Sequence, residues 1–119
     1  MPRSESPMQS EMVQGTLDML VLKTLLLGPA HGYTIAEAIE RGSEDVLQIE
    51  HGSLYPALHR LQNRGWITSF WGTSDNNRKA KYYRLTAAGR KQLAAQKSRW
   101  DQVVRAIGRI MSPVPEENK

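Results

Sequence analysis

The sequence of 119 residues contains no cysteine and only one phenylalanine. The absence of cysteine excludes a disulfide framework and any thiolate metal site, and it agrees with a reducing compartment. No apolar run approaches the roughly 18 residues that a membrane span needs. The first residues, which include two prolines and Arg3, do not have the pattern of a signal peptide. We therefore expect one soluble domain in the cytoplasm that does not enter a membrane.

Motifs for catalysis and metal binding are also missing. His31, His51 and His59 are scattered and do not have the spacing of a zinc-binding motif. There is no G-x-S-x-G turn, no phosphate-binding glycine loop and no dinucleotide fingerprint. Ser53 lies close to His51, but no placed carboxylate completes a catalytic triad. The sequence predicts no enzyme activity, no cofactor and no metal.

Acidic residues are absent from a long segment of the chain. Between Asn76 and Trp100 there are eight lysines and arginines but no aspartate or glutamate. Residues 60–109 hold twelve basic and two acidic residues, whereas residues 1–59 hold three and eight. Such a charge distribution favours a polyanionic partner and salt-sensitive association. A membrane surface would attract the same charges, but here they are divided among strands and a helix instead of one amphipathic face.

The segment from His51 to Gly65 is the most informative part of the sequence. Four of its residues form an apolar stripe at helical spacing, namely Leu54, Ala57, Leu58 and Leu61. We expect Ser53 to be the N-cap, which puts Pro56 in the first turn, and Gly65 to end the helix. The other side carries no acid, which suits insertion into the major groove of double-stranded DNA. The residues predicted to face the groove are Ser53, Tyr55, Pro56 and His59, with Arg60 at a base edge or a phosphate.

Two strand-length segments follow this helix, at residues 66–71 and 81–86, and both are rich in β-branched and aromatic residues. The polar linker 72–80 between them has the size of a hairpin connection. A helix followed by a hairpin with a basic tip is the order of a winged helix-turn-helix. The wing residues predicted to contact phosphates or the minor groove are Asn77, Arg78, Lys79 and Lys81. The alternative is a solvated loop without a ligand.

The first half of the chain predicts two more helices, at residues 16–27 and 31–42, with Ile35 and Ile39 facing the core. Residues 43–51 are expected to form a loop that includes a short strand at 46–49. His31 is interpreted as a cap or surface residue and not as a sensor. Tyr33 fits two roles equally, an aromatic at the edge of the core or a phosphate contact on the DNA.

The last predicted helix starts at the N-cap Thr86 and runs to about Met111. Leu93, Trp100 and Ile107 are spaced by seven, which is an incomplete heptad pattern. Because a small domain cannot cover a helix of this length, and because the helix at 16–27 is apolar around most of its circumference, we expect a dimer. Intramolecular packing is the alternative. The predicted dimer residues are Leu17, Leu20, Leu93, Trp100, Val104, Ile107 and Met111.

Several segments of the chain resemble the PadR family of bacterial transcriptional regulators. They lie at residues 15–22, 31–35, 53–61, 65–67 and 82–90, and the Leu-Tyr-Pro-Ala-Leu segment that starts at Leu54 is the most specific. The resemblance implies a homodimeric winged-helix repressor of the short subfamily, which dimerises through a single C-terminal helix on a palindromic operator. Some members bind flat aromatic ligands between subunits, and Trp100 lies at the corresponding position. Plain packing of this tryptophan at the dimer contact is the alternative.

These observations predict a mainly α, α+β fold with four parts. A flexible arm covers residues 1–11, a winged-helix domain 12–86, a dimerisation helix 87–111 and a disordered tail 112–119. The predicted function is a DNA-binding repressor, with a planar aromatic effector as a further expectation. The alternative function is a winged-helix module for protein interaction or dimerisation. The segment without acids favours DNA, because a protein-docking face would mix charges or expose apolar area.

Overall fold

The structure is a computed structural model and describes residues 14–113. Within these residues it contains four helices and three strands. In chain order they are α1 (Gln14–Leu26), β1 (Ala30–His31), α2 (Gly32–Gly42), α3 (His51–Asn63), β2 (Ile67–Thr73), β3 (Lys79–Leu85) and α4 (Ala87–Met111). The predicted N-terminal arm and residues 114–119 of the predicted tail lie outside the described residues.

Helices α1, α2 and α3 and one face of the sheet enclose the core. The four residues of the predicted stripe on α3 are at most 1% exposed, so the helical spacing identified the buried side of α3 correctly. Ile35 and Ile39 of α2 are buried against them, together with Val21 and Leu22 of α1. Burial of such side chains stabilises a fold by about 1.5–3 kcal/mol each.

The three strands form an antiparallel sheet in the order β1-β3-β2. The register between β2 and β3 runs from Ile67 opposite Leu85 to Thr73 opposite Lys79, so the predicted hairpin is confirmed. Both strands extend further into the linker than expected, and the connecting loop is 74–78 instead of 72–80. The short strand β1 pairs with Tyr82 and Tyr83, which attaches the start of α2 to the base of the wing.

The connection between α2 and α3 is a loop without the strand that we expected at residues 46–49, so that prediction is wrong. Side chains bind the backbone here in place of a strand partner. The N–H of Leu47 donates to the Ser43 hydroxyl at 3.1 Å, and the N–H of Ile49 donates to Oε2 of Glu40 at 2.8 Å. These bonds hold the loop close to the end of α2.

The start of α3 differs from the prediction. The N-cap is Glu50, without a side-chain capping bond, and Ser53 lies inside the helix. Pro56 is therefore in the second turn and removes one backbone hydrogen bond from the helix. The hydrogen bond from Ile49 to Glu40 fixes the chain directly before Glu50, and α3 begins there instead of at Ser53. A tertiary contact thus overrides the capping preference of serine.

The end of α3 was predicted correctly. Gly65 has a positive φ of 77°, which is a conformation that glycine adopts without strain. Its N–H donates to the Gln62 carbonyl, and the N–H of Trp66 donates to the Leu61 carbonyl, each at 3.0 Å. This is a Schellman motif, which turns the chain directly from α3 into β2.

The caps of α2 and α4 are also as expected. His31 is the N-cap of α2 and accepts a bond from the N–H of Thr34, which confirms its interpretation as a cap. Thr86 is the N-cap of α4: its hydroxyl accepts from the N–H of Gly89 at 3.0 Å and donates to the Gly65 carbonyl at 2.7 Å. The threonine thus joins the start of α4 to the turn after α3. Beyond Leu93 no residue of α4 is buried.

Candidate nucleic-acid interface

The outer side of α3 presents the residues predicted to face the groove. Ser53, Tyr55, Pro56 and His59 are all exposed. No aspartate or glutamate occurs within α3. The helix therefore offers hydroxyl and imidazole groups on a surface without negative charge, which is compatible with the approach of a DNA groove.

Three aromatic rings are stacked at the N-terminal end of α3. The rings of Tyr33 and His51 have centroids 6.4 Å apart, and those of His51 and Tyr55 are 5.9 Å apart. Tyr33 comes from the first turn of α2 and is 60% exposed. Its exposure excludes the edge of the core as its position, so a phosphate contact is the role that remains predicted for it.

Tyr55 lies against the backbone of α2. A Cβ atom placed on Gly32 would be 2.6 Å from the Tyr55 hydroxyl oxygen, so only glycine admits the tyrosine at this distance. Tyr55 also lies near the wing. It lines a cleft of about 450 Å³ together with residues that include Tyr33, Lys81 and Tyr83. Burial raises the pKa of the Tyr83 phenol above its usual value, and the nearby Tyr55 adds to the shift. The Tyr83 phenol therefore stays protonated to a higher pH than an exposed tyrosine does.

Arg60 forms an ion pair with another helix of the same chain. Its Nη2 is 2.8 Å from Oδ1 of Asp18 on α1, and the side chains of Arg60 and Asp18 are only 28% and 10% exposed. The guanidinium group is thus used in a contact between two helices of the same chain. The predicted contact of Arg60 with a base edge or phosphate would therefore compete with this carboxylate for the guanidinium group.

The tip of the wing is a short polar loop in which side chains support the backbone. Ser74 is central, since its hydroxyl donates to Oδ1 of Asn76 at 2.7 Å and its N–H donates to the Arg78 carbonyl at 2.7 Å. Asn77 has a positive φ of 63°, a conformation that asparagine tolerates better than most residues. Arg78, Lys79 and Lys81 are exposed, so the structure brings the predicted basic residues of the wing together.

Trp71 belongs to the same surface, although the sequence did not predict this role for it. It pairs with Lys81 across the hairpin, and the Lys79 ammonium lies 5.7 Å from its ring centroid. Alternation along β2 places Trp71 on the face that carries the buried Ile67. Trp71 is nevertheless 63% exposed, because the wing extends beyond the core. An aromatic residue opposite a lysine at the end of a strand was the signal that could have identified it.

A second exposed surface runs along the last three turns of α4. Its large apolar residues are between 42% and 80% exposed, and they lie on one side of the helix. They are Trp100, Val103, Val104, Ile107, Ile110 and Met111. In contrast, Leu17 and Leu93 lie in the core of the chain itself, and Leu20 packs against that core. The predicted dimer contact is therefore reduced to Trp100, Val104, Ile107 and Met111 among the residues first selected.

Trp100 also borders a cleft of about 350 Å³ between α1 and α4. Met19 of α1 and Gln96 and Val103 of α4 are among the other residues that line it. Oε1 of Gln96 is buried there without a hydrogen-bond partner among the described residues. The cleft thus combines an aromatic plane with aliphatic walls.

Comparison with known proteins identifies the family. The transcriptional regulator PadR-like family matches residues 21–95, a segment that contains α2, α3, the hairpin and the first part of α4. The chain belongs to the PadR family. Its members are transcriptional regulators and not enzymes, in agreement with the prediction that the chain has no catalytic activity.

Relatives with similar chains support the same assignment. A transcriptional regulator from Clostridium thermocellum superposes with a TM-score of 0.76 and 27% identity, covering 83% of this chain and 96% of that one. A PadR family regulator from Eggerthella lenta has a TM-score of 0.71 and 31% identity, with 85% and 86% covered. An uncharacterised protein of Lysinibacillus sphaericus is 29% identical over 87% of this chain and 94% of its own length. The predicted α+β winged-helix fold is confirmed by these PadR structures.

Helices of the described residues 14–113 are too short or too polar to cross a membrane.

The long helix α4 of this PadR regulator has 25 residues and extends about 37 Å. Beyond Leu93 its residues are not buried in the single chain, so its apolar stripe is an exposed surface on a different element from the polar surface of α3 and the wing.

Proposed function

We propose that this PadR regulator is a repressor that binds a palindromic operator as a homodimer. One observation carries the proposal: the acid-free outer side of α3 and the cations of the wing lie next to each other, joined by the cleft between Tyr55 and Lys81. A recognition helix and a basic hairpin on one surface match the major groove and the adjacent minor groove of a duplex. In this proposal the dimer represses transcription by occupying its operator.

Each part of this surface has a distinct role in the proposal. Ser53, Pro56 and His59 on the outer side of α3 enter the major groove, where they meet base edges and thymine methyl groups. The hydroxyls of Tyr33 and Tyr55 donate to phosphate oxygens. The wing places its cations on the phosphates that flank the minor groove. Contacts with phosphates position the protein, and contacts with base edges select the sequence.

The proposed dimer is inferred from the second surface, the exposed apolar stripe of α4. An exposed apolar stripe of this length on a single chain is unfavourable in water, and two copies of α4 cover it when they pack against each other. A two-fold axis then places two copies of α3 on two half-sites about 34 Å apart, which is one helical turn of DNA. The palindromic operator is the consequence of this symmetry.

DNA binding is expected to weaken steeply with salt. Each phosphate contact contributes a slope of about 0.9 in a plot of log affinity against log salt. Replacing Lys79 with alanine should reduce that slope by about one contact per protomer and weaken binding to all duplexes alike. Fluorescence anisotropy of a labelled operator, titrated at several salt concentrations, measures both quantities.

Lys97 provides the control for this experiment. Its ammonium group is 2.9 Å from Asp101 on the same helix, so its charge is balanced within α4. The Lys97→Ala variant should bind with the slope of the parent. If the parent protein does not bind a duplex in a salt-dependent manner, the proposed DNA-binding function is wrong, and the interaction module becomes the better assignment.

The proposal includes an effector, namely a planar aromatic molecule next to Trp100. Two tryptophans near a two-fold axis form a slot that suits such a ligand. A ligand that prefers one relative placement of the two subunits changes the spacing of the two α3 helices and releases the operator.

Isothermal titration calorimetry with phenolic acids and cationic planar dyes tests this part. We expect measurable heat with the parent protein and a loss of binding of at least about tenfold in Trp100→Ala, since the stacking surface is removed. Trp71→Ala removes the other exposed indole and should keep the parental affinity. Absence of heat with the parent, or equal affinities for parent and Trp100→Ala, would leave Trp100 as a packing residue.

A further inference from the structure

Asp18 and Arg60 form the ion pair that joins the first helix to the recognition helix. Asp18 is the buried charged residue of the core, at 7% exposure. The guanidinium of Arg60 donates from Nη2 to its Oδ1 at 2.8 Å, across 42 positions of sequence. The Nε atom of Arg60 is buried without a partner among the described residues. The arginine is thus directed into the molecule, although it stands on a helix whose other polar residues face outward.

The pair supports one flank of α3, and Tyr55 supports the other. Arg60 follows Tyr55 by five residues, which separates the two side chains by about 140° around the helix. Pro56 and His59 lie within this arc and point away from the core. Tyr55 rests on Gly32 of α2, whereas Arg60 is held by α1. The two contacts therefore border the face that α3 presents to the outside.

Apolar packing alone does not fix the rotation of α3 about its own axis. The contacts of Leu54, Leu58 and Leu61 with the core are non-directional, and they permit small rotations of the helix about its axis. A rotation of about 20° moves a side-chain tip that is about 5 Å from the axis by about 2 Å. That displacement breaks a hydrogen bond to a base edge, since such bonds tolerate only a few tenths of an ångström. A charge-assisted hydrogen bond has a preferred length and direction.

We propose that Asp18 and Arg60 are positioning residues for operator recognition, which set the rotation of α3 and do not contact DNA themselves. The inference rests on the proposed DNA-binding function and adds a source of sequence specificity to it. It also explains why a charge is kept in the core, where an ion pair contributes little to stability compared with apolar residues of similar size. Because Asp18 is on α1, the orientation of α3 depends on the helix that also lines the Trp100 cleft.

The test uses Asp18→Asn, Arg60→Gln and the double variant. Asp18→Asn removes the charge and keeps the shape of the side chain, and Arg60→Gln removes the charge with a shorter polar side chain. For each protein we would measure the affinity for the selected operator, the affinity for an unrelated duplex, and the salt dependence of both. Thermal unfolding is recorded first, and all titrations are made well below the lowest unfolding temperature.

Both single variants are expected to lose about tenfold in operator affinity, while binding to the unrelated duplex and its salt slope stay close to those of the parent. The double variant should lose no more than either single variant, because the two residues act as a unit. Leu93→Ala is the control for a purely structural effect. It removes a core side chain far from the pair in sequence, and it should lower the unfolding temperature without changing the ratio of operator to unrelated binding.

A direct contact between Arg60 and DNA would give a different set of binding results for these variants. If Arg60 contacts a phosphate, Arg60→Gln flattens the salt slope by about one contact per protomer, and Asp18→Asn, which releases a cation, binds all duplexes at least as well as the parent. That result, or variants that keep the full operator preference, would overturn the positioning role. A parent protein without salt-dependent DNA binding would overturn the proposed function itself, so the two failures are distinguishable.

Discussion

Replacing Gly89 with alanine is expected to lower the free energy of unfolding by about 3 kcal/mol, the upper part of the range for overpacked sites. A Cβ atom at this position would overlap the Trp66 carbonyl oxygen and would be 2.7 Å from a methyl carbon of Leu85. The carbonyl cannot move away freely, because it accepts the N–H of Thr86 at 3.0 Å. The substitution would therefore separate the first turn of α4 from the sheet.

Urea denaturation followed by circular dichroism measures this effect, with all proteins at one concentration because association adds to the apparent stability. Gly42→Ala is the matched control. Gly42 is the last residue of α2, and no atom lies within 4 Å of a Cβ placed on it. Its replacement should stabilise the protein by up to about 1 kcal/mol through helix propensity. If Gly89→Ala unfolded at the same urea concentration as the parent, the close approach of α4 to Trp66 would be wrong.

Replacing Ile107 with lysine is expected to convert the proposed dimer into a folded monomer. Ile107 is 54% exposed in the single chain, so a lysine there costs the isolated chain little. In the proposed dimer the same substitution places two unpaired charges in an apolar contact, at a cost of several kcal/mol. The dissociation constant of the dimer should therefore rise by at least about a hundredfold, since about 2.7 kcal/mol corresponds to that factor.

Analytical ultracentrifugation at micromolar concentration separates the two states. Gln102→Lys adds the same charge on the other side of α4, and this variant should sediment like the parent. Circular dichroism verifies that the Ile107→Lys variant keeps its helices. A parent that sediments as a monomer would remove the dimer and the palindromic operator together, whereas a dimeric Ile107→Lys variant would place the interface on another surface.

The separation of roles between Tyr55 and Arg60 was not apparent from their positions in the sequence. Both lie on the flanks of the predicted stripe, and the sequence predicts that both face DNA. Tyr55 is 47% exposed beside the wing, whereas Arg60 is drawn inward by Asp18. The direction of a side chain on the flank of a helix depends on what the neighbouring helix offers to it, and that neighbour is supplied by residues 42 positions away.

In the wing, the local structure could be predicted from the sequence, but the role of one exposed residue could not. The hairpin and its basic tip were predicted, because alternating β-branched and aromatic residues around a polar turn are a local pattern. The membership of Trp71 in the exposed surface was not predicted. It depends on how far the hairpin extends beyond the core, which is decided by the packing of α3 and α4 on the base of the sheet.

The helices, the hairpin and their buried sides could be predicted from the residues alone, since these features depend on residues within one or two turns of each other. The stripe of α3, the Schellman motif at Gly65 and the cap at Thr86 are of this kind. Three features could not be predicted in this way: the start of α3, the place of β1 in the sheet, and the ion pair of Asp18 with Arg60. Those features depend on contacts between segments that are distant in the chain, such as the bond from Ile49 to Glu40 and the pairing of Ala30 with Tyr83. Local preferences are weak, about 1 kcal/mol for an N-cap, so a single tertiary contact of similar strength is sufficient to override them.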